Sequence, residues 1–171
     1  MTMILTILFS ILFLSADAGI AKTSVPTAFK SVACDFFTHD NAMKVLGSQS
    51  IGTDGGMTEN AEGRSWKCTF TPNDGGESSP RLYFMIMKSP SEEAAKNSFQ
   101  VIRDSNKMHN GFEEWSGIAD EAIAHSDAPN FHFVMVRKGL KTIRIKVNPA
   151  SGVSLDSIKA AAASLVPKMS M

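Results

Sequence analysis

The stretch FHFVMVRKGLKTIRIKV, Phe131 to Val147, decides the fold. Its first half is apolar at odd and even positions alike, His132 excepted. A strand of that kind is covered on both sides. Lys138-Gly139 then reads as a tight turn, because Gly139 can take a positive φ. The second half alternates: Ile143, Ile145 and Val147 face one way, and Thr142, Arg144 and Lys146 the other. Two strands joined by a tight turn run antiparallel, so the sheet is antiparallel.

Working outward, EAIAHSD (121–127) predicts a preceding strand, with Ala128-Pro129-Asn130 turning the chain. RLYFMIMK (81–88) places Leu82, Phe84 and Ile86 on one face and Tyr83, Met85 and Met87 on the other. WKCTFTP (66–72) puts Trp66, Cys68 and Phe70 on one side. Residues 48–65, rich in Gly and small polar side chains, read as a loop with at most a ragged strand. Three helices flank these strands. In CDFFTHDNAMKVLG, Thr38 or Asp40 caps and Gly47 stops the helix. In SPSEEAAKNSFQVIRDSNKM, Ser89 caps, Pro90 takes the first helical position and Glu92 completes a capping box. In SGVSLDSIKAAAASLVPKM, Ser154 caps a helix with Leu155, Ile158, Ala162 and Leu165 on one face. The expected fold class is α+β: an antiparallel sheet of about five strands in the order α-β-β-α-β-β-β-α.

The 171 residues suffice for one domain with a proper core, and 43% hydrophobic residues is ordinary for a globular chain. Basic and acidic residues balance at 17 each. That argues against nucleic acid as a partner, which requires concentrated positive charge. The apolar run Ile4–Leu14, followed by Ala16-Asp17-Ala18, has the pattern of a cleaved signal peptide, although no Lys or Arg precedes it. It is too short for a membrane span, which needs about 20 apolar residues. Residues 1–18 are therefore expected as signal, 19–30 as a lead-in and 31–169 as one domain. The mature chain is expected to be periplasmic or secreted, with no transmembrane segment. In an oxidising compartment Cys34 and Cys68 suggest a disulfide, worth roughly 3–4 kcal/mol in the chain-entropy model. Two buried free thiols are the alternative.

CDFFTHDNAMKVLG resembles the opening Cys-x-Leu-Leu-Thr…Leu-Gly of small exported bacterial domains of unknown function. GIADEA (117–122) is similar to their Gly-Leu-Gly-Asp-Glu-Ala turn, with Ala119 in place of the second glycine. The strand pair 131–147 and the Ala-rich last helix also resemble that family. Related domains occur in actinobacterial lipoproteins and extracytoplasmic kinase sensors. The resemblance implies a PsbP-like α/β/α sandwich and no catalytic residues. The lipid anchor of those lipoproteins is absent here.

Candidate chemistry is sparse. Asp120 and Glu121 form an acidic pair, but neighbours on a strand point to opposite faces and do not converge on one substrate atom. The pair is better read as Asp120 bonding turn amides and Glu121 opening a strand. His125 and His132 are weak metal candidates if they meet across adjacent strands, yet no metal-ligand spacing supports them. No serine-nucleophile elbow or phosphate loop is present. No catalytic residue and no cofactor are assigned. What remains are surfaces. Tyr83, Met85, Met87, Phe131, Phe133 and Met135 share an apolar sheet face that either binds a ligand or lies under a helix. Arg137, Lys138, Lys141, Arg144 and Lys146 form a basic strip that either meets an anionic partner or is a solvated face. The expected function is an exported, non-enzymatic binding or sensor-like domain whose partner is an unknown envelope ligand or protein. The alternatives are an envelope hydrolase or metal-dependent enzyme, or a secreted inhibitor or adaptor acting through residues 48–65.

Overall fold

The computed structural model describes residues 32–170; the expected signal peptide and lead-in lie outside the described residues. Seven strands form one antiparallel sheet: β1 (Ser50–Asn60), β2 (Gly63–Pro72), β3 (Arg81–Lys88), β4 (Phe112–Glu114), β5 (Glu121–Asp127), β6 (Phe131–Lys138) and β7 (Lys141–Asn148). Their spatial order is β1-β2-β3-β7-β6-β5-β4. The meander β4 to β7 therefore folds back so that its last strand pairs with β3. The helices are α1 (Val32–Phe36), α2 (His39–Leu46), α3 (Glu92–Lys107) and α4 (Leu155–Met169).

The α+β class and the antiparallel sheet stand, but the sheet is larger than the five strands expected. β1 occupies what reads as a loop. It is an edge strand with nearly every residue past Gly52 exposed, so no apolar alternation marks it. Its place comes from backbone pairing with β2, interrupted by a bulge between Asp54 and Met57. β4 has only three residues, too few to show a period.

One sheet face carries the main core. Val134, Val136, Ile143, Ile145 and Val147 point there, met by Ile158 and Leu165 of α4. Phe37, just after α1, wedges between Phe70 and Phe84, its ring centroid 5.5 and 5.0 Å from theirs. Burying a large aromatic contributes roughly 1.5–3 kcal/mol by area alone. The Cys34–Cys68 disulfide ties α1 to β2 beside this cluster.

Two of the expected helix starts hold. Thr38 Oγ1 accepts from the Asn41 amide, and Ser154 Oγ accepts from the Asp156 amide. Gly47 ends α2 with φ 73°. The cap of α3 is Ser91, not Ser89: Ser91 Oγ accepts from the Ala94 amide at 3.1 Å. Ser89, one residue past β3, donates its amide to Leu140 O at 2.9 Å, and its hydroxyl is buried without a partner.

The opposite face is covered in part. α3 packs on β4, β6 and β7, and Phe99 meets Ile123 and Met135 in a small second core.

Candidate functional site

Beyond the footprint of α3, the second sheet face is open. The strand registers set two rows of side chains across β2, β3, β7 and β6. One row is Lys67, Met85, Arg144 and Met135; the next is Thr69, Tyr83, Lys146 and Phe133. Met135 is buried under α3, and Phe133 lies at the boundary. The remaining side chains line a groove of about 320 Å³ together with Phe133. Tyr83 is 41% exposed, unusual for an aromatic in the middle of a sheet.

Arg144 stands at the centre of this groove. Its flanks across the sheet are Met85 and Met135, neither of which can accept a strong hydrogen bond. Its Nε is buried and has no hydrogen-bond partner. Burial pushes the guanidinium below its ordinary pKa, while the Glu62 carboxylate, from the turn between β1 and β2, acts in the opposite direction. Lys146 reaches sideways, its Nζ 5.0 Å from the centre of the Phe131 ring. The groove lining thus holds three cationic side chains, Lys67, Arg144 and Lys146, and no carboxylate.

The structure brings Tyr83, Met85 and Phe133 together with Arg144 and Lys146, two groups that read as separate surfaces. Met87 shares the face but is buried, opposite Ser65 and Thr142. Phe131 lies beyond the groove, edge-on to His125 at 5.0 Å. Lys67 and Thr69 are missing from the sequence candidates. Only their alternation against Trp66, Cys68 and Phe70 could have found them.

Arg137 faces a different task. It is 8% exposed, and its Nε donates to Glu121 at 2.5 Å while Nη1 donates to Asp120 at 3.1 Å and to Gly139 O at 3.2 Å. The two carboxylates do converge, because Asp120 precedes the strand that Glu121 opens. They converge on a guanidinium. Asp120 also accepts the Gly139 amide at 2.7 Å, which closes the β6–β7 turn. Lys138 and Lys141 pair across that turn, away from the groove.

The histidines separate. His125 lies opposite Phe133 and His132 opposite Ser126, so the two rings occupy opposite faces. His132 is buried between Ser126 Oγ at 2.9 Å and Val153 O at 3.0 Å. His125 Nδ1 donates to Asn106 Oδ1 at 2.7 Å, and its ring stacks on His109 with centroids 5.6 Å apart. Among the described residues no three His, Cys, Asp or Glu side chains are grouped to hold a metal. Among the same residues no helix is long and apolar enough to cross a membrane.

Comparison of the chain with protein-family models, with curated proteins and with solved structures returns no match.

Proposed function

We propose that the chain is an exported, non-enzymatic binding or sensor-like domain of the cell envelope, and that it seats a small, largely apolar molecule in the groove over β2, β3 and β7. One observation carries the reading: the second sheet face is half covered, which leaves Tyr83, Met85 and Phe133 around an open depression. A concave apolar site with a few polar groups is the usual form of a small-molecule site. The Cys34–Cys68 disulfide supports export, since such bonds persist in oxidising compartments. The helix-on-both-faces arrangement supports the expected PsbP-like sandwich as part of the same proposal. A second reading, a protein-docking arm at β1, is favoured by the exposed Ile51 and Met57.

The test uses an uncharged solvatochromic dye, N-phenylnaphthylamine, and the full chain produced with its disulfide. Dye fluorescence is expected to rise on the wild type. It is expected to be lost in Thr69→Trp, which fills the groove from β2 without touching the main core. No rise with the wild type, or a rise unaffected by Thr69→Trp, would sink the groove reading.

A further inference from the structure

We infer that the groove takes a single-chain amphiphile with an oxyanion head, and that Arg144 anchors the head while Tyr83, Met85 and Phe133 hold the chain; this rests on the groove being a ligand site. Three facts converge on it. First, the cations are unbalanced. Lys67, Arg144 and Lys146 line the groove with no carboxylate among its walls. No described acid forms an ion pair with any of them within 4.0 Å, whereas Arg64, Arg103, Lys107, Arg137 and Lys159 all have one.

Second, Arg144 is placed where a charge is expensive to leave unpaired. Its Nε has neither solvent nor a protein acceptor. A buried polar group without a partner is the exception in folded proteins. An oxyanion in the groove would give the Arg144 guanidinium the counter-charge that none of the groove's own side chains provides, and charge-assisted bonds of this kind are stronger than neutral ones. The Glu62 carboxylate already acts on Arg144 from the β1–β2 turn. That carboxylate offsets part of the Arg144 charge, and Lys67 and Lys146 supply the remaining positive field that an oxyanion in the groove would meet.

Third, the rest of the wall is apolar and of limited extent. About 320 Å³ holds roughly ten groups of water size at about 30 Å³ each. That suits a short acyl chain better than a bilayer patch or a folded partner. The shared chemistry of the head is carboxylate or phosphate monoester, both of which fit the guanidinium geometry.

The experiment titrates the full chain calorimetrically with decanoate, decyl phosphate, methyl decanoate and inorganic phosphate. Decanoate or decyl phosphate is expected to bind, and methyl decanoate about ten- to a hundredfold more weakly, the range a charged hydrogen bond spans. The arm that binds more tightly identifies the head. Inorganic phosphate alone is expected not to bind. Arg144→Gln should remove the preference for the charged ligand, with far-ultraviolet circular dichroism showing that the variant is folded; a folded variant that keeps the preference would overturn Arg144 as the anchor. Equal binding of decanoate and its methyl ester would overturn the anionic head yet leave the groove reading intact. Failure of the dye and of every amphiphile would overturn both. Binding to anionic phospholipid vesicles, with none to the free amphiphiles, would make this a membrane-docking surface and overturn the proposal.

Discussion

His132 Nε2 donates to the Val153 carbonyl, which can only accept. Nδ1 meets the Ser126 hydroxyl, which can serve as donor or acceptor. Both ring nitrogens are satisfied inside the protein, so the residue links β6 to the segment before α4. His132→Phe puts a larger, apolar ring in its place and leaves the buried Val153 carbonyl and the half-buried Ser126 hydroxyl without their partner. It is expected to destabilise the fold by about 1–3 kcal/mol, measured by urea unfolding. A neutral result would mean that water reaches Val153 O. Sequence reasoning could single out His132 as the polar interruption in an apolar strand, but not its partners. Those lie six and 21 residues away and are brought in by the turn and the approach to α4. The same holds for Arg137 and Arg144. Both are basic residues on neighbouring strands, indistinguishable as letters. One is paired by Asp120 and Glu121; the other faces methionines.

At the scale of elements, the β1–β2 hairpin is the part least legible in sequence. Its glycines and small polar residues look like loop, since β1 buries almost nothing and shows no period. Gly63 nevertheless marks a constrained position. Its φ is 124°, and a Cβ there would run into the Lys88 carbonyl oxygen. Only glycine lets β2 start this close to the end of β3. Gly63→Ala is expected to cost about 1–3 kcal/mol, the range for a residue held in a sparsely populated backbone region. Urea unfolding of the variant checks this, and an unchanged midpoint would show that the hairpin tip yields freely. The helices were far more legible, because caps are local: Thr38, Gly47 and Ser154 sit where their chemistry places them. The α3 cap is Ser91 and not Ser89 because Ser89 is still tied to the sheet by its amide bond to the Leu140 carbonyl, and the helix starts only at Glu92.

For the whole molecule, the Cys34–Cys68 bridge closes a loop of 34 residues that includes α2, β1 and the turn into β2. Replacing both cysteines by serine is expected to lower stability by about 3–4 kcal/mol in the chain-entropy model. Comparing urea midpoints of the variant and of the reduced wild type checks it. A drop in neither would show that packing of Phe37 against Phe70 and Phe84 already holds α1 in place.

By itself the sequence determined which segments alternate, which faces they bury and where most helices begin, because these follow from neighbours a few residues apart. Tertiary structure alone decided that β7 lies between β3 and β6, and how far α3 reaches over the sheet. That placement joins Tyr83 and Met85 to Arg144 and Lys146, from strands about 60 residues apart in the chain, in one row-by-row register. The groove is the part of the second face that one 16-residue helix, about 24 Å long at 1.5 Å per residue, leaves uncovered on a seven-stranded sheet.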